Sequence, residues 1–177
     1  GSDPILRRMN RKYTMADFAH KVELIRRYLP GWAITTDIIV GFPGESDDDF
    51  ERTLAYVETQ VFANAFTFIY SIRRGTPAAN WEQVPAAVAS ERYKRLLNAQ
   101  NAAVRAYHDA KIGTTVRCLI QGLSKKDPTR LAAKTLDNVT VIAPLPGDYP
   151  RGEVDASHPY AATPWIDVEL ETAHVWG

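Results

Sequence analysis

The stretch ITTDIIVGFPGESDDDF, residues 34–50, holds the groups whose types and spacing point most directly to chemistry. One aspartate stands in a β-branched run, two glycines and a proline follow, and then come four acids. Such a turn can hold a nucleotide, a cofactor or a substrate, or it can simply join a strand to a helix. Alternate residues of a strand share a face, so Asp37, Ile39 and Gly41 point one way and Ile38 and Val40 the other. A carboxylate buried without a partner costs about 3–5 kcal/mol, so Asp37 is expected on a polar lumen rather than under helices. That puts Ile39 and Gly41 on the lumen side as well, at the C-terminal end of a parallel strand, where α/β barrels place their ligands. Gly41 and Gly44 permit backbone angles closed to other residues and let a ligand approach. A phosphate cradle is disfavoured: Glu45, Asp47, Asp48 and Asp49 occupy the positive end of the following helix and repel anions.

Other reactive groups are sparse. The single cysteine, Cys118, excludes an internal disulfide framework and any all-cysteine metal or iron–sulfur site built from this chain alone. Cys118 alternates with Val116 and Ile120, which reads as core. Histidines 20, 108, 158 and 174 show no ligand spacing, so no metal site is expected. Net charge is zero but unevenly spread: residues 111–134 carry six Lys/Arg against one acid, and residues 135–177 one against seven. A basic edge on a folded unit follows. There is neither a signal-peptide pattern nor an 18-residue apolar run, so a cytoplasmic protein without membrane attachment is expected.

The elements that must position these groups follow from periodicity. Residues 14–29 read as a helix started by Thr14 and Asp17, with Phe18, Val22, Ile25 and Leu29 on one face and Pro30-Gly31 as the stop. Residues 32–40 read as a strand. A second helix starts at Ser46 and buries Phe50, Leu54, Val57 and Val61. NAFTFIYS (64–71) is the next strand. Pro85 opens a long helix to about Ala110 with a core face of Val88, Leu96, Leu97, Val104 and Tyr107. The order α-β-α-β-α is the signature of parallel strands with crossover connections. From Gly113 only short runs remain, TTVRCLI, RLAAKTL, NVTVIAP and WIDVELET, which predict a small all-β unit closed as a barrel.

GSDPILRRMNRKYT, ITTDIIVGFPGESDDDF, AFTFIYSIRRGTPAA, ERYKRLLNAQ and GLSKKDPTRL, in that order and followed by a small β unit, together resemble the radical S-adenosylmethionine methylthiotransferases. The likeness is strongest to the type that adds a methylthio group to C2 of an isopentenylated adenosine in the tRNA anticodon loop. The resemblance implies an α/β fold in which residues 1–110 are the C-terminal portion of a partial parallel, TIM-like barrel and residues 111–177 a small OB-like TRAM barrel. The chain is thus expected to be the C-terminal segment of a longer enzyme, inactive by itself. The whole enzyme uses S-adenosylmethionine and two 4Fe-4S clusters, whose cysteine ligands have no counterpart here, and this segment contributes no catalytic residue.

By the same resemblance, Asp37, Ile39, Gly41 and Phe42 line the S-adenosylmethionine pocket, with Ile39 against the adenine. The family's Tyr-Ser-x-Arg-x-Gly-Thr loop matches Tyr70, Ser71, Arg73, Gly75 and Thr76. Arg73 either contacts the cofactor or closes the loop through a salt bridge. Ile72 and Arg74 stand where the family usually has prolines, and Ala133-Lys134-Thr135 where it often has Gly-Arg-Thr. In the TRAM unit Arg117, Lys125, Lys126, Arg130 and Lys134 are the expected tRNA contacts, made to phosphates. RRMNRKY (7–13) is either a second tRNA contact or a solvated face. The barrel edge at residues 32–40 is expected to be covered by a second copy or a rearranged helix. Two other readings stay open: an enzyme that methylthiolates a ribosomal protein, and a free-standing RNA-binding module.

Overall fold

The computed structural model describes residues 1–60, 62–147 and 164–173. Val61, expected on the buried side of the second helix, lies outside them, as do His158 and His174. The chain divides into two compact units, Gly1–Tyr107 and His108–Gly177.

In the first unit, helix α1 (Asp3–Arg8) is capped by Ser2, carries a proline in its first turn and ends on Arg7 and Arg8. Both ends suit the helix dipole. Six residues are too few to show a period, so no sequence pattern announces α1. Helix α2 (Met15–Tyr28) begins with a complete capping box, Thr14 and Asp17 each bonding the other's backbone N–H. Strand β1 (Thr35–Val40) and strand β2 (Asn64–Ile69) run parallel, in register from Thr35↔Asn64 to Val40↔Ile69. Between them helix α3 (Asp47–Thr59) starts on a second capping box, Ser46 with Asp49. A short 3-10 turn (Pro77–Asn80) leads to helix α4 (Ala86–Asp109).

The core of this unit is Val40, Phe50, Leu54, Val57 and Leu96, with Ile38 packed against it. Helices α3 and α4 thus cover one face of the strand pair. The other face carries Asp37 and Ile39 of β1 opposite Phe66 and Phe68 of β2, and both phenylalanines are 52% exposed. The alternation expected for β1 holds.

Two helical faces differ from expectation. On α2, Val22 is buried, but Ile25 and Leu29 are exposed, so the apolar stripe is covered only towards its start. On α4 the buried stripe is Ala89, Arg92, Leu96, Gln100 and Val104. Val88, Leu97 and Tyr107 are only half-buried beside it. An apolar pattern could not find Arg92 and Gln100, because their partners come from distant segments. Gln100 bonds the Ala65 carbonyl and accepts from the Thr67 hydroxyl at 2.7 Å.

In the second unit strands β3 (Thr115–Leu123), β4 (Arg130–Thr135), β5 (Thr140–Pro144) and β6 (Trp165–Glu169) form an antiparallel sheet of order β5-β4-β3-β6. The register slips between Ile120 and Gly122, where Gly122 has φ +120°, a β-bulge at Gln121. Cys118, Leu131, Ala133 and Ala143 are buried on one face. Strands β5 and β6 are edges of this sheet, so the described strands do not close into the expected barrel.

Candidate functional site

The turn after β1 is held from three sides. The Gly41 N–H donates to Glu45 Oε2 at 2.8 Å. Arg92 of α4 donates to that same oxygen at 2.8 Å and to the Glu45 carbonyl at 3.0 Å, and its other terminal nitrogen reaches Asp47 at 2.6 Å. Glu45 and Arg92 are both buried. Burial pushes the Glu45 carboxyl up, against the pull of the Gly41 N–H and Arg92. Burial also opposes the Arg92 charge, but hydrogen bonds to Asp47 and Glu45 outweigh it and raise its pKa. Arg92 therefore stays a cation and neutralises the acids of the turn from within.

The two glycines of the turn serve packing. Gly41 has φ +72°, and a Cβ there would lie 2.8 Å from the Ala89 Cβ. Gly44 has φ +86°, and a Cβ would meet the Arg8 guanidinium at 2.7 Å. Arg8 donates to the Pro43 carbonyl at 3.0 Å and stacks 4.6 Å above the Trp81 ring. Asp49 is committed too: burial works to raise its pKa, yet the hydroxyls of Ser2 and Ser46 and the Ser46 N–H hold it below the ordinary carboxylate range. No acid of the turn except Asp48 lacks a structural task among these contacts.

The five residues expected around the cofactor separate into three environments. Asp37 and Ile39 lie on the open face of the strand pair, Ile39 at 37% exposure opposite Phe68. Gly41 and Phe42 are buried, Phe42 in a cluster with Ile5 and Ala78 and edge-on to Tyr70 and Trp81. Arg73 is exposed in a turn closed by the Thr76 hydroxyl, which donates to the Arg73 carbonyl at 2.8 Å. The α1–α2 segment shares a cavity of about 150 Å³ with β1, lined by Ile5, Met9, Tyr13, Asp37, Ile39 and Tyr56 among others.

In the second unit the cations expected to contact RNA lie on the outer side. Lys125 and Lys126 are exposed in the β3–β4 turn, where Asp127 accepts from the Thr129 N–H and hydroxyl at 3.0 and 2.6 Å. Arg130 is exposed at the start of β4, and half-buried Lys134 donates to the Asn138 carbonyl at 3.1 Å. Arg117 is exposed and reaches Asp167 only at 4.0 Å. Register places Arg117, Arg130 and Lys134 on the same outer face of the sheet. Cys118 is buried on the inner face, and burial pushes its thiol up, away from the thiolate a metal requires.

Residues 1–57 match the family model described as the Radical SAM superfamily. Over 149 residues, 84% of this chain, the sequence is 47% identical to a tRNA-2-methylthio-N(6)-dimethylallyladenosine synthase of Moorella thermoacetica, covering 33% of that protein. It is 46% identical to the protein of that name in Acetivibrio thermocellus, over 99% of this chain and 34% of the relative. A third such synthase, from Kineococcus radiotolerans, is 42% identical over 90% of this chain and 34% of its own length. This chain belongs to the radical SAM superfamily. It spans about a third of the length of the curated relatives it matches.

Radical SAM proteins use S-adenosylmethionine and an iron–sulfur cluster. The open strand face fits the organic cofactor: Ile39 and Phe68 offer an apolar surface for an adenine, and Asp37 lies one alternate position along the strand. A cluster held by this chain alone does not fit, because several cysteine thiolates are needed and Cys118, buried and with a raised pKa, is the sole cysteine.

Sequence reasoning missed Arg8 and Arg92 as organisers of the turn. The place of Arg92, three residues after Ala89 on the stripe that continues through Leu96, marks a buried position but does not reveal Glu45 and Asp47 as its partners. Sequence reasoning also missed the position of Trp165 on the outer sheet face.

Proposed function

We propose that this chain is part of a radical S-adenosylmethionine methylthiotransferase that places a methylthio group on C2 of N6-isopentenyladenosine in a tRNA anticodon loop. The identity of 42–47% to synthases of that name, over most of this chain, is the observation that carries the reading. In this reading residues 1–110 complete the cofactor barrel and residues 111–177 form a TRAM-type RNA-binding domain. Asp37 and Ile39 wall the cofactor pocket through the open strand face. Gly41, Phe42 and the Arg8–Trp81 and Glu45–Arg92 contacts act as positioning residues, holding the end of β1 rigid. Arg73 stands exposed at the mouth of β2, free to reach a ligand. Two 4Fe-4S clusters belong to the enzyme, their thiolates supplied from outside this chain.

The cofactor, when bound with its cluster, supplies the radical chemistry; this chain's own residues bind and orient. Ile39 offers an adenine apolar contact, and Asp37 accepts hydrogen bonds. Arg117, Lys125, Lys126, Arg130 and Lys134 neutralise phosphates and so set affinity without reading sequence. The ribosomal-protein alternative has no comparable support here, since the three relatives named above all carry the name of a tRNA-modifying synthase.

The test is nucleoside analysis of tRNA from cells lacking the modification, complemented with the gene that carries this segment. Appearance of 2-methylthio-N6-isopentenyladenosine is the expected result, and its loss in an Ile39→Asp variant that still folds ties the activity to the open face. Unmodified tRNA from cells containing soluble, cluster-loaded protein would refute the assignment.

A further inference from the structure

The outer face of the β3–β6 sheet carries more than cations. Register puts Trp165 of β6 opposite Leu119 of β3, and Leu119 opposite Lys134 of β4, one lateral row across three strands. Trp165 is 39% exposed, and Ile142 of β5 is exposed on this face to a similar degree. Charge along the face is graded. One end holds Asp167 and Glu169, opposite Arg117 and Thr115, and the other holds Arg130 and the Lys125-Lys126 turn. An aromatic ring backed by aliphatic side chains, between cations and acids, is arranged to bind a flat apolar group attached to an anionic chain. Single-stranded RNA has that chemistry: bases stack on aromatic rings while the backbone follows the cations.

We propose that Trp165 is a base-stacking residue of this unit. One unpaired base lies on Trp165 and Leu119, Lys134 flanks its phosphate, and the strand leaves towards Arg130, Lys125 and Lys126. Asp167 and Glu169 repel phosphates at the opposite end and so fix the direction of exit. A duplex cannot use the ring, because its bases are already stacked; the platform selects looped-out or single-stranded nucleotides. The proposal rests on the RNA-binding reading of this unit and adds to it a residue that senses bases rather than charge.

Binding of unstructured octa-adenylate and of bulk tRNA to the whole chain tests it, with Trp165→Leu, Trp165→Phe and Lys125→Ala/Lys126→Ala proteins compared by fluorescence anisotropy across a salt series. Trp165→Leu is expected to weaken octa-adenylate binding about 5- to 100-fold with an unchanged salt slope, and Trp165→Phe to retain most affinity. Lys125→Ala/Lys126→Ala should reduce the slope instead. Quenching of tryptophan emission by octa-adenylate, present in the unaltered chain and absent in Trp165→Phe, reports stacking directly and decides the matter if Trp165→Leu alters folding. Full affinity in Trp165→Leu with no quenching would overturn the stack while salt-dependent tRNA binding leaves the RNA reading standing. If the unaltered chain binds neither RNA, both readings fall.

Discussion

The two units place their arginines differently: Arg92 of the first is buried, Arg117 and Arg130 of the second are exposed. In the first, Glu45, Asp49, Arg92 and Gln100 are each less than 10% exposed and each is bonded to a partner remote in sequence or to a helix cap. The second buries an apolar strip of Cys118, Leu131, Ala133 and Ala143 and leaves Arg117, Lys125, Lys126 and Arg130 in solvent. A buried ion is held by its partner and removing that partner leaves an uncompensated charge, whereas an exposed ion contributes little to stability and remains available to a ligand. Charge in the first unit therefore fixes a turn, and charge in the second offers a surface.

The largest expected effect breaks the first half of this contrast. Arg92→Ala leaves Glu45 buried beside only the Gly41 N–H, and should destabilise the first unit by about 3–5 kcal/mol. Urea unfolding followed by the emission of Trp81, which packs against Phe42 and Arg8, measures it. A loss below about 1 kcal/mol would mean that the ion pair is dispensable. Gly41→Ala comes next, at about 1–3 kcal/mol, because the new Cβ meets Ala89 and the backbone stays left-handed. Its companion Ala89→Gly should recover the steric part and not the conformational part, which a double-mutant cycle separates.

Acid sharpens the comparison more gently. Asp49 has a folded pKa below its ordinary 3.8, so its contribution is fully present above that value and disappears as pH falls through the lower folded one. Glu45 behaves in the opposite sense: with its pKa raised above 4.5, the neutral form is favoured in the fold, and the contribution present at low pH is lost as pH rises through the raised value. Glu45→Gln should therefore flatten the pH dependence of first-unit stability just above 4.5, and Asp49→Asn below 3.8, in urea titrations at stepped pH. The smallest effect belongs to the second unit. Removing Lys125, Lys126 and Arg130 together should change its melting by no more than about 0.5 kcal/mol while lowering the salt slope for tRNA by about 2–3. A large stability loss there would erase the distinction between the units.

Local rules made much of this legible. Thr14 with Asp17 and Ser46 with Asp49 announced two helix starts, and both capping boxes form because every partner lies within four residues. The alternation in β1 separated Val40 from Ile39, since strand geometry fixes it whatever packs outside. Helix α1 escaped notice because Ser2 finds Asp49 and Ile5 finds Phe42 only after the chain has folded back. The glycines of the turn were read as room for a ligand, yet in the structure their space is taken by Ala89 and Arg8.

The amino-acid order alone determined the capped helices, the strand faces, the basic turn at Lys125-Lys126 and, through similarity, the superfamily. Tertiary structure decided which polar residues became core, since Arg92 and Gln100 reach their buried positions only when Glu45 and Ala65 are there to receive their hydrogen bonds. It also decided that Trp165 shares a face with Leu119 and Lys134. Strand register is a property of pairs, and no single strand carries it.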